Sequence, residues 1–220
     1  MKTISAFDVI GPNMIGPSSS HTAGALHIAF LARRLIKGRL TAVRFTLFGS
    51  FAQTYRGHGT DRALVAGVLG FESDDVRIRD SFDYAERAGV KIAFEINGAD
   101  AEAHPNTVDI HLESDIGEKV RVRGVSTGGG SAELRAVDNV EIKLSGEYET
   151  IFIRHDDKPG VVAYITDCMA KSEINIAFMS LYRTARNQQA YSVIETDHKI
   201  PPQVADAIEA HTSIASAMVM

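Results

Sequence analysis

The strongest constraint on the fold is the order of hydrophobic patterns in residues 149–220, which predicts strand, helix, strand, strand, helix, strand. Pro201 and Pro202 precede the second of these helices. The predicted strands cover residues 150–154, 174–183, 190–196 and 214–220. A βαββαβ order of this kind is typical of a ferredoxin-like unit. We therefore expect a compact domain over residues 147–220.

A different pattern over residues 1–146 predicts a second domain of mixed α/β class with an antiparallel component, so that the chain as a whole is α+β. A helix is expected over residues 22–37, followed by Gly38 as its C-terminal residue. A second helix is expected over residues 63–69, with Thr60 or Asp61 as its N-cap. Apolar residues alternate with polar ones, as strands require, at these positions: Val43, Phe45, Leu47, Ile92, Phe94, Ile96, Val108, Ile110, Leu112, Val120, Val122, Val140, Ile142, Leu144.

The composition argues against several classes of protein. The net charge is −5 without a basic stripe, which argues against nucleic acid as the main partner. No apolar run approaches the ~20 residues that span a bilayer, and the N-terminus lacks the pattern of a secretory signal. A single cysteine excludes an internal disulfide framework. These features predict a soluble, cytoplasmic protein.

A loop rich in serine precedes the first predicted helix, with the order Ser18, Ser19, Ser20, His21, Thr22. A helix N-terminus carries free N–H groups and a partial positive charge, so it favours an anion. The three hydroxyls add donors, and His21 titrates near neutral pH. The sequence therefore predicts a site for a carboxylate or phosphate. An ordinary capping loop with a surface histidine fits the same residues.

A second loop, before the second helix, repeats this arrangement around His58. Glycines on both sides, Gly57 and Gly59, let the backbone approach a ligand closely, and Thr60 follows. A lone histidine is more often structural than catalytic. The second occurrence of a histidine loop at a helix start makes a functional role for both more plausible.

Two further loops contain the polar or small residues Asn106, Thr107, Ser126 and Gly128. Their composition suits either turns or ligand-binding loops. The triple glycine that follows Thr127 lacks the Lys-Ser/Thr of a phosphate-binding Walker loop.

Metal ligation by this chain alone is not predicted. None of the eight histidines forms an HExxH motif. Cys168 lies in a predicted helix and has no second cysteine, whereas an iron–sulfur cluster needs several thiolates.

Taken in their order along the chain, the four loops resemble the beta domain of bacterial iron–sulfur-dependent L-serine dehydratases. The similarity begins at residues 7–22 and continues through residues 57–63, 104–107 and 126–130, so that four motifs match over some 130 residues. Residues from about Glu149 onward resemble an ACT domain, a ferredoxin-like module that often senses amino acids. Together the two resemblances cover nearly the whole chain.

The resemblance implies an enzyme that converts L-serine to pyruvate and ammonia without pyridoxal phosphate. It implies a [4Fe–4S] cluster whose cysteines belong to a separate alpha subunit, so the expected partners are that subunit and L-serine. Within this chain we expect His21 to be the best local candidate for the base, which the partner chain could supply instead. We expect His58 to share the catalytic site, either completing the pocket or facing the alpha subunit. The expected substrate-binding residues are Ser18, Ser19, Ser20, Thr22, Gly59, Thr60, Asn106, Thr107, Ser126 and Gly128.

For the ACT part, the resemblance implies an effector site. His155 and Asp157 would flank the ligand, Gly160 and Val161 belong to the same loop, and Asn175 would reach the ligand from the second strand. Relatives that sense serine carry asparagine where this chain has Asp157. An ionised aspartate cannot donate a hydrogen bond and would repel a ligand carboxylate, so a cation or a differently oriented ligand suits it better. ACT domains commonly pair, which implies a homodimer.

Two other functions fit the sequence. The first domain also resembles a regulatory domain of some phosphoglycerate dehydrogenases. Because no nucleophile–base pair or set of cluster ligands is found in this sequence, the chain could be a stand-alone regulator that binds amino acids. A third possibility is a structural subunit that stabilises an enzyme without touching its substrate.

Overall fold

The computed structural model describes residues 13–97 and 104–220, and the chain forms two compact units. The first unit ends at Asp138 and the second begins at Asn139. This boundary lies before the predicted one at residue 146, because strand β6 (Val140–Leu144) groups with the second unit. Over the described residues, no helix is long and apolar enough to cross a membrane.

The first unit combines helices with a mixed sheet. Its α-helices are α1 (Gly24–Arg33), α2 (Gly49–Thr54), α3 (Thr60–Val68) and α4 (Ser81–Arg87). A π-helical turn (Ser19–Ala23) precedes α1, and a 3₁₀ helix (Val76–Asp80) precedes α4. Its strands are β1 (Leu40–Leu47), β2 (Lys91–Ile96), β3 (Thr107–Ser114), β4 (Lys119–Gly128) and β5 (Ser131–Val137).

The strands of the first unit lie in the order β2-β1-β3-β4-β5. The β1–β2 pair is parallel, and the other neighbours are antiparallel, which confirms the predicted antiparallel component. The alternation of Val43, Phe45 and Leu47 places all three in the core, each with at most 1% of its surface exposed. Phe45 pairs in register with Phe94, and their rings stack with centroids 4.9 Å apart.

Helix α1 packs on both α3 and the sheet, and two glycines permit this close contact. A Cβ at Gly67 in α3 would lie 2.3 Å from the carbonyl oxygen of Leu26 in α1. A Cβ at Gly124 in β4 would lie 2.1 Å from Cγ2 of Ile28 in α1. Side chains at either glycine would push α1 away. These contacts fix where the loops before α1 and α3 meet.

Several details of the first unit differ from the sequence predictions. The first helix begins with a π-helical turn, and its α-helical part ends at Arg33 instead of residue 37. The N-cap of α3 is Gly59, with φ of +67°, and not Thr60 or Asp61, because the chain enters this helix from a tight turn after α2. The segment 126–131 is mostly strand, since β4 continues to Gly128 and β5 starts at Ser131. Helices α2 and α4 and strand β5 were not predicted.

The second unit has the predicted βαββαβ order after β6. Its elements are β7 (Glu149–Asp156), α5 (Val161–Lys171), β8 (Ile176–Arg183), β9 (Gln189–Thr196), α6 (Pro202–Glu209) and β10 (Ile214–Val219). The sheet is antiparallel in the order β10-β7-β9-β8. Both helices cover one face, where Ile153, Ile165, Ile194 and Ile208 form part of a buried cluster.

Candidate active site

The serine loop folds into the capped start of a helix. Ser18 is the N-cap, and its Oγ accepts a hydrogen bond from the backbone N–H of His21 at 3.2 Å. Its carbonyl oxygen accepts from the N–H of Thr22 at 2.8 Å. The following residues, Ser19–Ala23, form the π-helical turn, a feature that is frequent at functional sites. The hydroxyl of Ser18 therefore orients the turn that carries His21.

Hydroxyl groups hold the imidazole of His21 at both nitrogens. Nδ1 lies 3.1 Å from Oγ of Ser20, and Nε2 lies 2.8 Å from Oγ of Ser50 at the start of α2. A hydroxyl can donate or accept, so this arrangement suits either neutral tautomer of the ring. The ring of Phe51 meets His21 edge-on at 5.4 Å between centroids. Ser50 and Phe51 were not predicted as site residues.

The second predicted histidine lies against the first. The ring centroids of His21 and His58 are 4.8 Å apart, with an angle of 55° between the ring planes. The hydroxyl of Thr22 donates to the carbonyl oxygen of His58 at 3.0 Å, which ties the two loops together. Burial lowers the pKa of His21, and the nearby charge of His58 lowers it further. Both effects favour the neutral form of the His21 imidazole.

The third predicted loop, residues 104–107, contacts helix α2, which carries Ser50 and Phe51. The backbone N–H of Phe51 donates to the carbonyl oxygen of Pro105 at 3.2 Å. Gly49 makes this contact possible, because a Cβ there would lie 2.7 Å from both Cα and the carbonyl oxygen of Pro105. The hydroxyl of Thr107 donates to the carbonyl oxygen of His104 at 2.6 Å. The loop that carries Asn106 is thereby placed beside Ser50 and Phe51.

The fourth predicted loop, which carries Ser126 and Gly128, lies against the third loop and the start of α1. The N–H of Ser126 donates to the carbonyl oxygen of Asn106 at 3.0 Å. Ser126 lies beneath the start of α1, because a Cβ at Gly24 would lie 2.1 Å from its Oγ. The Ser126 hydroxyl donates weakly to the carbonyl oxygen of Ser131 at 3.5 Å. Gly128 ends β4 in the left-handed region, with φ of +101°.

Three polar atoms in these loops are buried without a hydrogen-bond partner among the described residues. They are Nδ1 of His58, Oγ1 of Thr60 and Oδ1 of Asn106. A buried polar group without a partner costs about 1–3 kcal/mol, so most proteins avoid it. Unpaired atoms of this kind are candidates for contact with a bound molecule.

The described residues of this chain do not offer a metal centre. No group of three or more histidine, cysteine, aspartate or glutamate side chains within residues 13–97 and 104–220 could hold a metal ion. Cys168 is a free, half-buried cysteine on α5 of the second unit. An iron–sulfur cluster therefore does not fit these residues.

In the second unit, the predicted effector residues are already engaged within the fold. His155 is buried, its Nδ1 donates to the carbonyl oxygen of Asp156 at 2.8 Å, and its Nε2 lies 2.9 Å from Oγ of Ser192. Gly160, with φ of +90°, caps α5, and the side chain of Val161 is buried. The side chain of Asn175 donates to Asp197 at 2.8 Å.

Asp157 ties the β7–α5 loop to the hairpin between β8 and β9. Its Oδ2 accepts a hydrogen bond from the backbone N–H of Asn187 at 3.0 Å and pairs with Arg183 at 3.3 Å. The hydrogen bond from Asn187 contributes most to lowering the pKa of Asp157, and Arg183 adds to it. The carboxylate thus has a cation partner from its own chain.

Comparisons with known proteins match a family to each of the two parts of the chain. Residues 5–136 match the family model for the serine dehydratase beta chain, and residues 150–212 match that for the ACT domain. The chain is 40% identical to the L-serine dehydratase beta chain of Peptoniphilus asaccharolyticus, over 94% of both chains. It is equally similar, with the same coverage, to the probable L-serine dehydratase beta chain of Bacillus subtilis. The L-serine dehydratase TdcG of Escherichia coli is 42% identical over 34% of this chain and 17% of its own.

Proposed function

The chain belongs to the family of serine dehydratase beta chains, and on that basis we propose that it is the beta subunit of an L-serine dehydratase. The reaction removes the Cα proton and the β-hydroxyl of L-serine as water. The resulting aminoacrylate then takes up water to give pyruvate and ammonia. The C-terminal ACT match supports a regulatory module on the same chain.

The meeting of four loops around two imidazoles is the structural observation that supports a catalytic role for this chain. The ring centroids of His21 and His58 lie 4.8 Å apart; His21 is in the π-helical turn before α1, and His58 precedes α3. Oδ1 of Asn106 and Nδ1 of His58 lack partners among the described residues. Buried polar groups without partners in one place favour a site that contacts another molecule over a purely structural subunit.

We assign the proton-accepting role to His21 and place His58 beside it in the catalytic site. The neutral imidazole of His21 can take up the Cα proton, and Ser20 and Ser50 hold the ring in position. Ser18 and Ser20 already bond within their own turn, so the serine loop serves first to orient His21. Direct contact of Ser19, Thr22, Gly59, Thr60, Thr107, Ser126 and Gly128 with the substrate stays a prediction.

We propose that the [4Fe–4S] cluster of this enzyme is bound by a partner alpha subunit. The chain has one cysteine, and the described residues contain no group of metal ligands. A cluster needs several thiolates, which another chain must supply. The proposed partners are therefore that alpha subunit and L-serine, and the proposed location is the cytoplasm.

We also propose that the ACT domain pairs with a second copy of itself and binds a small polar effector at the β7–α5 loop. Strand β8 lies at the edge of its sheet and exposes Phe178 by 60% and Leu181 by 49%. Exposed edge strands with apolar residues favour pairing with another chain. Because Arg183 already neutralises Asp157, an effector that binds there must displace or share this ion pair.

The pH dependence of turnover tests the role of His21. We expect the acid limb of kcat/KM to have its midpoint below 6.5, the ordinary value for histidine. Burial and the charge of His58 lower the pKa of His21, so its neutral form persists to lower pH. In the His58→Gln variant one of these causes is absent, and we expect the midpoint of the residual activity to rise toward 6.5. A wild-type midpoint at or above 6.5 would contradict this assignment.

The proposed function can be tested by purifying the tagged chain anaerobically from its own cells. We expect a brown, cysteine-rich partner to co-elute and the mixture to form pyruvate only when L-serine is added. A colourless chain that elutes alone and forms no pyruvate, but binds amino acids by calorimetry, would favour the stand-alone regulator instead.

A further inference from the structure

A cleft of about 690 Å³ lies beside His58 in the first unit. Its volume falls within the range of about 300–1,000 Å³ that is usual for small-molecule sites. The side chains that bear on its chemistry are Arg56, Arg62, Arg79, Asp61, His58 and Thr22. We call it the arginine cleft. It adjoins the imidazole pair, because His58 lines the cleft and also contacts His21.

The arginine cleft has an excess of positive charge. None of Arg56, Arg62 and Arg79 forms an ion pair within 4.0 Å with a carboxylate among the described residues. A guanidinium group presents a planar fork of donors that matches a carboxylate. A cleft lined by one sign of charge concentrates ligands of the opposite sign. The arginines thus offer a place for an anionic group.

One acidic side chain faces the same space. Burial raises the pKa of Asp61, against the effect of the backbone N–H of Arg62 and the charges of Arg62 and Arg56. This carboxylate has lost part of its hydration without gaining an ion pair within 4.0 Å among the described residues. A ligand that carries only negative charge would be repelled by Asp61. A ligand that also carries an ammonium group would pair with it.

We propose that the arginine cleft binds the charged ends of an α-amino acid, with its carboxylate on Arg56 and Arg79 and its ammonium group on Asp61. This rests on the proposed function, and it names the residues of this chain that recognise the substrate as a zwitterion. A ligand bound in this way lies next to His58, whose ring contacts the ring of His21. The serine loop need not hold the carboxylate, since its hydroxyls already bond to each other and to His21.

The test uses the two-chain enzyme and compares L-serine with glycerate, in which a neutral hydroxyl replaces the ammonium group. We expect Arg56→Gln and Arg79→Gln each to raise KM for L-serine about tenfold or more, and to weaken inhibition by glycerate by a similar factor. We expect Asp61→Asn to raise KM for L-serine but to leave glycerate inhibition unchanged or stronger. Arg87→Gln, on α4 outside the cleft, removes the same charge and should change neither constant.

The outcomes separate this inference from the proposed function. If wild-type enzyme forms no pyruvate from L-serine, the proposed function is wrong, and the inference is wrong with it. If wild-type enzyme is active but Arg56→Gln and Arg79→Gln behave like Arg87→Gln, only the inference is overturned. The zwitterion assignment would also be overturned if Asp61→Asn raised KM for L-serine and weakened inhibition by glycerate by the same factor. If Arg56→Gln and Arg79→Gln weaken inhibition by glycerate but Asp61→Asn leaves KM for L-serine unchanged, the cleft is a simple anion site instead.

Discussion

Replacing His21 by alanine should lower kcat for L-serine by about 10²–10⁴-fold, the usual contribution of a general base. The variant loses the imidazole that Ser20 and Ser50 hold in place. The alanine fits the helical turn, and the lost hydrogen bonds cost only about 1 kcal/mol each, so the chain should still fold. We expect circular dichroism and co-elution with the alpha subunit to match those of wild type.

A matched control for this variant is His198→Ala. His198 is exposed in the second unit, where its Nδ1 donates to the carbonyl oxygen of Asp197 and its own carbonyl oxygen accepts from the hydroxyl of Thr196. We expect its turnover to equal that of wild type. Turnover of His21→Ala within about twofold of the wild-type rate would rule out a direct role for His21.

The second large effect is expected from Gly49→Ala. Gly49 has φ of +50°, a conformation that costs an alanine roughly 1–2 kcal/mol. Its Cβ would in addition lie 2.7 Å from the backbone of Pro105, so the loop of Asn106 must move. We expect a loss of about 3 kcal/mol in unfolding free energy and a fall in kcat/KM of roughly 10²-fold, the cost of a shift of about 1 Å in a catalytic site.

Gly70→Ala separates backbone strain from the displacement of the loop. Gly70 also has a positive φ, +81°, but no atom lies within 4 Å of the position of its Cβ. We expect this variant to lose stability from strain alone and to keep wild-type kcat/KM. Urea unfolding and steady-state kinetics on both variants measure the difference. Equal activity losses would show that the contact between Gly49 and Pro105 does not position the site.

Elements with strong periodicity could be predicted from the sequence. The alternation of Val43, Phe45 and Leu47 is the signature of a strand with one buried face, and β1 covers these residues. The βαββαβ order of the second unit followed from the same reasoning. Helix α2 was missed because six residues, Gly49–Thr54, are too few to show a helical period.

The candidate site was only partly predictable because its geometry depends on packing between distant elements. Glycine and serine around His21 and His58 indicated two ligand loops. Their ring contact at 4.8 Å between centroids depends on how closely α1 packs on α3, where a Cβ at Gly67 would lie 2.3 Å from the carbonyl oxygen of Leu26. Nothing near Ser50 in the sequence indicates that its hydroxyl meets a ring 29 positions away.

The arginine cleft could not be predicted for a related reason. Charged residues in a sequence usually indicate solvated surface, and Arg56 and Arg79 are far apart along the chain. Only the fold brings them to one cleft beside His58.

We propose that the imidazole pair of this chain takes part in the dehydration of L-serine by a two-chain enzyme. The most direct test adds purified beta chain to purified, cluster-loaded alpha subunit and measures pyruvate formed from L-serine. We predict that wild-type beta chain restores turnover and that the His21→Ala/His58→Ala double variant binds the alpha subunit without restoring it. Full turnover with the double variant, or with the alpha subunit alone, would contradict the claim.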